Sequence, residues 1–176
     1  MSDQNLILVD EKNNPSGKYA PKRLCHSGKG LTHLAFTLLI LNNKNEVLLQ
    51  DRKHLLWDHF WDLTNSHPLH LEKGEDETIE QSASRCLKTE WGVDFPVKKL
   101  FSFRYFAKYK NNFCENEYCA FLLGKYDGEV YPSDEVAYGY KWMDLTDLKK
   151  DIKIHPEFYT PWLIRGVLKL EKRKLF

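Results

Sequence analysis

The sequence predicts a single domain of the α/β (α+β) class, a mixed sheet sandwiched between helices, spanning residues 1–176. Three observations predict it. Short apolar runs bounded by turn residues recur along the chain as strands. One segment carries apolar residues at every fourth position, as a helix with one buried face requires. Strands and helices also follow one another in mixed order, which demands both hairpins and crossovers. At 42% hydrophobic, 176 residues are enough to enclose a real core.

Leu6 to Val9 reads as the first strand, closed by a turn at Asn13-Asn14-Pro15-Ser16-Gly17. Leu34 to Leu41 is a strongly apolar strand. Asn42 to Asn45 makes a hairpin turn, and Glu46 to Gln50 returns as the next strand. Trp57 to His70 is polar and aromatic without a clear period, and reads as loop-rich. Glu75 to Trp91 is the clearest helix, with Ile79, Ala83, Leu87 and Trp91 on one face and Gly92 as its stop. Strands follow around Leu100 to Tyr105, Tyr118 to Leu123 and Tyr140 to Met143. A short helix is expected near Thr146, and a final amphipathic one near Pro161 and Trp162.

A formal net charge of +1 gives no global field toward nucleic acid or an acidic membrane, so anion binding must come from a local cluster. The N-terminus has no basic and apolar signal pattern. The longest apolar run, Leu34 to Leu41, is far too short to span a bilayer. Cys25, Cys86, Cys114 and Cys119 show no CxxC spacing and are expected to be reduced, mostly buried thiols. These features predict a cytoplasmic protein with no nucleic-acid partner and no membrane span; a monomer or weak dimer is expected.

Several segments carry chemistry. His26 and His33 stand seven apart just before a strand. Glu115 and Glu117 stand two apart on a strand, a spacing that turns both carboxylates to one face. The helix segment GEDETIEQSASRCLKTEWGV has Gly74-Glu75, Arg85, Glu90 and Gly92 in the arrangement of a Nudix box. Cys86 and Thr89 replace two of its usual glutamates, and its entry loop is two residues longer. Such a helix works by placing carboxylates one turn apart around a divalent cation. Phe103-Arg104-Tyr105, Thr64-Asn65-Ser66 and Pro161-Trp162 complete the set. In order and rough spacing, from about Leu6 to Leu168, these motifs resemble the type I isopentenyl-diphosphate isomerases of the Nudix superfamily.

The resemblance implies a Nudix-like sheet and a metal-dependent isomerisation of isopentenyl diphosphate to dimethylallyl diphosphate. Protonating an unactivated alkene needs a positioned acid, a base on the other face, dry walls and electron-rich surfaces toward the cation. The resemblance assigns the proton carrier to Glu117 and the aromatic wall to Trp162 and Tyr105. The metal set would be His26, His33, a third histidine, Glu115 and Glu117, a mixed nitrogen and oxygen shell suited to Zn, Mn or Fe. Mg would travel with the substrate diphosphate and meet Glu90. Lys22, Arg52 and Arg85 would bind the phosphates, with Lys53 a stand-in for a second lysine.

The chain departs from the family at one point. The family keeps a catalytic cysteine between Thr-Asn-Ser and a metal-binding histidine. Here the sequence runs Thr64-Asn65-Ser66-His67-Pro68-Leu69-His70. A gapless register places Pro68 at the cysteine position and makes His70 the third ligand. The other register deletes the cysteine segment and makes His67 the ligand. The spacing to Gly74-Glu75 favours His70, which leaves His67 to replace the thiol as an acid or base; Cys25 or Cys114 approaching from another loop is the other source. Two further functions compete: a Nudix pyrophosphohydrolase acting on a nucleoside or prenyl diphosphate, and a non-catalytic prenyl-diphosphate binder.

Overall fold

The structure is a computed structural model and describes residues 4–110 and 112–176. Its frame is a mixed sheet. The strands are β1 (Asn5–Val9), β2 (Pro15–Pro21), β3 (His33–Leu41), β4 (Glu46–Arg52), β5 (Trp61–Asp62), β6 (Thr64–Ser66), β7 (Leu69–His70), β8 (Val97–Tyr109), β9 (Phe113–Lys125) and β10 (Ala137–Asp144). The helices are α1 (Lys22–Cys25), α2 (Ile79–Trp91), α3 (Leu145–Ile154) and α4 (Pro161–Lys172).

The centre of the sheet is β3, which runs parallel to β9 from His33↔Glu117 to Leu41↔Lys125. That pairing explains its composition. A central strand buried on both faces reads as a continuous aliphatic run rather than an alternating one. One face of the sheet packs Leu39, Val47, Leu49, Phe101 and Phe121 against α3 and α4 through Leu148, Leu163 and Val167. The other packs Phe36, Leu38, Ile40 and Leu122 against α2 through Ala83, Leu87 and Trp91. The expected layering, helices on both faces of a mixed sheet, is therefore present. Among the described residues, no helix is long and apolar enough to cross a membrane.

Local chemistry moves several boundaries. The principal helix begins at Ile79 rather than Glu75, because Thr78 and Gln81 form a reciprocal capping box that closes its first turn. It ends where expected, with Gly92 in the left-handed conformation. The first turn sits at Asp10 to Asn14, held by the Asp10 carboxylate accepting from the backbone N–H groups of Lys12 and Asn14. Pro15 to Gly17 already belong to β2. The segment expected to be loop-rich contains three short strands. One of them, Thr64-Asn65-Ser66, pairs antiparallel with β3. Asn and Ser are poor strand formers, and here the central strand overrides their propensity.

Gly166 on α4 lies against the ring of Phe121, and a Cβ added there would sit 2.2 Å from Phe121 Cε2. The ring has no room to yield, since it is stacked at 4.9 Å on Phe101. Gly166→Ala should therefore destabilise the protein by about 1–3 kcal/mol through overpacking, despite the better helix propensity of alanine. Urea unfolding would check it; a more stable variant would contradict this account of the interface.

Candidate active site

Strand register builds the first row of the site. His33 opens β3 opposite Glu117 on β9, and Tyr105 on β8 pairs with the same Glu117 from the other side. Three side chains from three neighbouring strands thus share one row. Glu115, two residues before Glu117, joins the same face. His26 follows α1, whose end is tied to β9 by the Cys114 N–H donating to the His26 carbonyl at 3.0 Å. Gly30 makes the close approach possible. It has φ +61°, and a Cβ there would meet Cys114 Sγ and the Cys25 carbonyl at 2.7 Å.

The third histidine in the group is His67. One ligand atom from each of His26, His33, His67, Glu115 and Glu117 lies within 4.8 Å of all the others. His70, expected here as the ligand, is elsewhere: its Nδ1 is 2.7 Å from Asp76 Oδ1, and its ring stacks on Tyr19 at 3.6 Å. The reason is local. β7 pairs with β1, which carries His70 to the outer part of the sheet, while His67 stays beside the inward end of β6. The backbone at His67 is clamped by α2, where Ser82 Oγ and Arg85 Nη2 both donate to its carbonyl, at 2.9 and 3.0 Å.

Arg85 is accordingly not a cavity residue. Its guanidinium is engaged with Glu77 in a two-point pair, Nε to Oε1 at 2.7 Å and Nη2 to Oε2 at 2.9 Å, as well as with Ser82 and His67. The expectation that it binds phosphate gives way to a scaffolding role that fixes His67. Lys22, Arg52, Lys53 and Glu90 do line the cavity, with Tyr105, Trp162 and, from the His/Glu group, His26, His67, Glu115 and Glu117.

The electrostatics of the group favour a cation. The Nδ1 atoms of His26 and His33 lie 2.7 and 2.8 Å from the carbonyl oxygens of Lys22 and Leu31. Carbonyls only accept, so each Nδ1 carries a proton, and in the neutral ring each Nε2 presents a lone pair inward. His33 Nε2 and Glu115 Oε2 are buried without a hydrogen-bond partner. His26 Nε2 stands 2.9 Å from that same Glu115 oxygen. Lone pairs converging in a buried space repel one another unless a positive charge lies between them, so the donor set fits a divalent metal. Burial, followed by the charge of Glu117, raises the pKa of Glu115. Burial would raise that of Glu117 too, but the His33 and His67 rings hold it well below the usual carboxylate range. Its two oxygens are divided: Oε1 meets His67 Nε2 at 3.0 Å, and Oε2 accepts from the Tyr105 hydroxyl at 2.5 Å.

Family comparison follows the same residues. A NUDIX domain profile matches residues 31–163. The chain is 39% identical to isopentenyl-diphosphate Delta-isomerase 2 of Photorhabdus laumondii, over 91% of this chain and 88% of that protein. This chain belongs to the Nudix superfamily, among the type I isopentenyl-diphosphate isomerases. A second member, isopentenyl-diphosphate Delta-isomerase 2 of Aromatoleum aromaticum, is 35% identical over 93% of this chain and 84% of its own length. The fold is shared more widely. A crystal structure of DR0079 from Deinococcus radiodurans superposes with TM-score 0.72 at 15% identity, covering 94% of this chain and 98% of that one.

All four cysteines are buried free thiols, and none lines the cavity. Cys25 Sγ lies 3.9 Å from the Ala20 carbonyl and Cys114 Sγ lies against Gly30, so neither of the two thiols expected from another loop lines the cavity. His67, expected as the other substitute, stands in the His/Glu group with its Nε2 3.0 Å from Glu117 Oε1. The sequence reading missed three cavity neighbours. Asp62 is fully buried and anchors Arg52 Nη1 at 3.1 Å while accepting from Asn65 and Thr160. Gln50 and His54 line the space itself, whereas Asp62 stands behind Arg52. None carried a spacing signal, since their partners lie in other elements.

Proposed function

We propose that the chain isomerises isopentenyl diphosphate to dimethylallyl diphosphate, using a divalent metal, Zn, Mn or Fe, held by His26, His33, His67, Glu115 and Glu117. The observation that carries this reading is the five-residue His/Glu group, four of whose members line a cavity together with Lys22, Arg52 and Lys53. The His/Glu group suits proton chemistry beside a cation, and the three basic side chains suit a diphosphate.

Glu117 and Tyr105 act as one proton carrier: a proton passed through the pair adds to the terminal alkene carbon, and the carboxylate left behind takes one back from C2. The Tyr105 hydroxyl donates to Glu117 Oε2 and is the resting place of that proton, its pKa driven well above the ordinary value by burial and by Glu117. The metal, when bound, stabilises the Glu117 carboxylate and fixes its orientation. Trp162 closes the cavity with its indole, 6.1 Å from the Tyr105 ring, and offers a π face to positive charge developing on the hydrocarbon. Arg52 lies 5.2 Å from that ring, so in this reading the diphosphate would sit next to the indole. Burial pushes the carboxyl of Glu90 up to about 7, so it would release its proton when Mg arrives with the diphosphate.

The cavity without a thiol favours a second reading, a prenyl-diphosphate binder with little or no turnover. A hydrolase is disfavoured by α2 itself. Cys86 is buried there, and the Thr89 hydroxyl bonds back to the Arg85 carbonyl, so neither stands in for the absent glutamates. The deciding experiment is incubation of metal-loaded protein with isopentenyl diphosphate and Mg, with dimethylallyl diphosphate and free phosphate both measured. Dimethylallyl diphosphate above the protein-free control is the expected result. Tight binding without product would establish the binder, and phosphate release would establish a hydrolase.

A further inference from the structure

His54 has no part in the chemistry described so far, yet it lines the cavity on the side of the cations. Both of its ring hydrogen-bond contacts use Nδ1. The backbone N–H of Leu56 approaches that atom at 3.1 Å, and Arg52 Nη2 at 3.2 Å. A backbone amide and a guanidinium are donors only, so Nδ1 must present its lone pair, and the ring proton sits on Nε2. We infer that His54 is a binding residue for the substrate's diphosphate, its Nε2–H donating to a phosphate oxygen. The inference rests on the reading above, that this cavity accepts a prenyl diphosphate.

Three considerations separate this role from the alternatives. A general base needs a free lone pair, and the only one on this ring is occupied by two donors, so His54 does not replace the missing thiol. A ring serving only to cap its own turn would need just the Leu56 contact, yet this one faces the cavity beside Arg52 and Lys22. Finally, a fourth positive charge here would repel Lys22, Arg52 and Lys53. Burial, helped by Arg52 and Lys22, pushes the pKa of His54 down to about 3. The ring therefore adds a donor without adding charge, and the same contact with Arg52 holds that guanidinium in place.

The test uses the full chain with inorganic pyrophosphate and Mg as the probe. In the wild type, nitrogen-detected NMR of the imidazole should place the His54 proton on Nε2, and titration with pyrophosphate should shift that signal. His54→Ala should weaken pyrophosphate binding about tenfold, as expected for a lost hydrogen bond to a charged group. His54→Gln, whose amide N–H reaches a similar point, should recover most of it. A proton found on Nδ1, no binding by the wild type, unchanged binding in His54→Ala, or no recovery in His54→Gln would each overturn the assignment. The two readings fail separately. Pyrophosphate binding through His54 without any isomerisation would sink only the proposed reaction. An active isomerase whose KM is untouched by His54→Ala would sink only the role of His54. The NMR readings need no variant, so they stand even if a substitution fails to fold.

Discussion

Glu117→Gln should lower turnover by roughly 10²–10⁴, the range expected when a positioned proton carrier is lost. It is the largest effect predicted for any single substitution, because the side chain does two things at once. Its Oε1 belongs to the metal-type group and contacts His67, while its Oε2 holds the Tyr105 hydroxyl at 2.5 Å. An amide keeps the shape but cannot carry the transferred proton, and it places an NH₂ group where an acceptor stood. The measurement is kcat in the isomerase assay alongside metal content by elemental analysis. A glutamine variant that keeps its metal and its rate would remove Glu117 from the chemistry. One that keeps its metal and loses its rate would isolate the proton role from the ligand role.

His67→Ala should strip metal from the purified protein, whereas His70→Ala should leave it. His67 offers one of three ring nitrogens in a group whose ligand atoms lie within 4.8 Å of one another. Losing a direct ligand should reduce affinity by more than the roughly 10–100-fold typical of losing an outer partner. His70 instead pairs with Asp76 near the surface and stacks on Tyr19. Removing it costs a partly exposed ion pair, worth at most about 1 kcal/mol, with no effect on metal. Metal content of the two variants, measured side by side, decides the matter. Retention in His67→Ala with loss in His70→Ala would reverse the assignment.

The contrast between these two histidines shows where sequence reasoning runs out. Both stand in one short segment, both are three or six residues beyond Thr64, and both fit a plausible register. What separates them is strand pairing: β6 attaches to the central β3 and β7 to the outer β1. Arg85 shows the same limit. An arginine on a box-like helix suggests phosphate, but Glu77, eight residues earlier, engages it in a two-point pair, and the His67 backbone takes another of its donors.

By itself, the sequence determined the layered class, the central aliphatic strand, the principal helix with its glycine stop, and four of the five residues in the His/Glu group. The class, the strand and the helix rest on short-range periodicity, while the histidines of the group were implied by the resemblance to the isomerase family. Two-residue spacing aims Glu115 and Glu117 together, four-residue spacing gives α2 its buried face, and an unbroken apolar run marks a strand covered on both sides. Only the tertiary structure decided that the third histidine of the group is His67, that no thiol lines the cavity, that Asp62 anchors Arg52, and that His54 stands beside Arg52 in the cavity wall. Each of these depends on which strand lies beside which, and on partners as far apart as Asp62 and Thr160. Long-range pairing of this kind leaves no periodic trace along the chain.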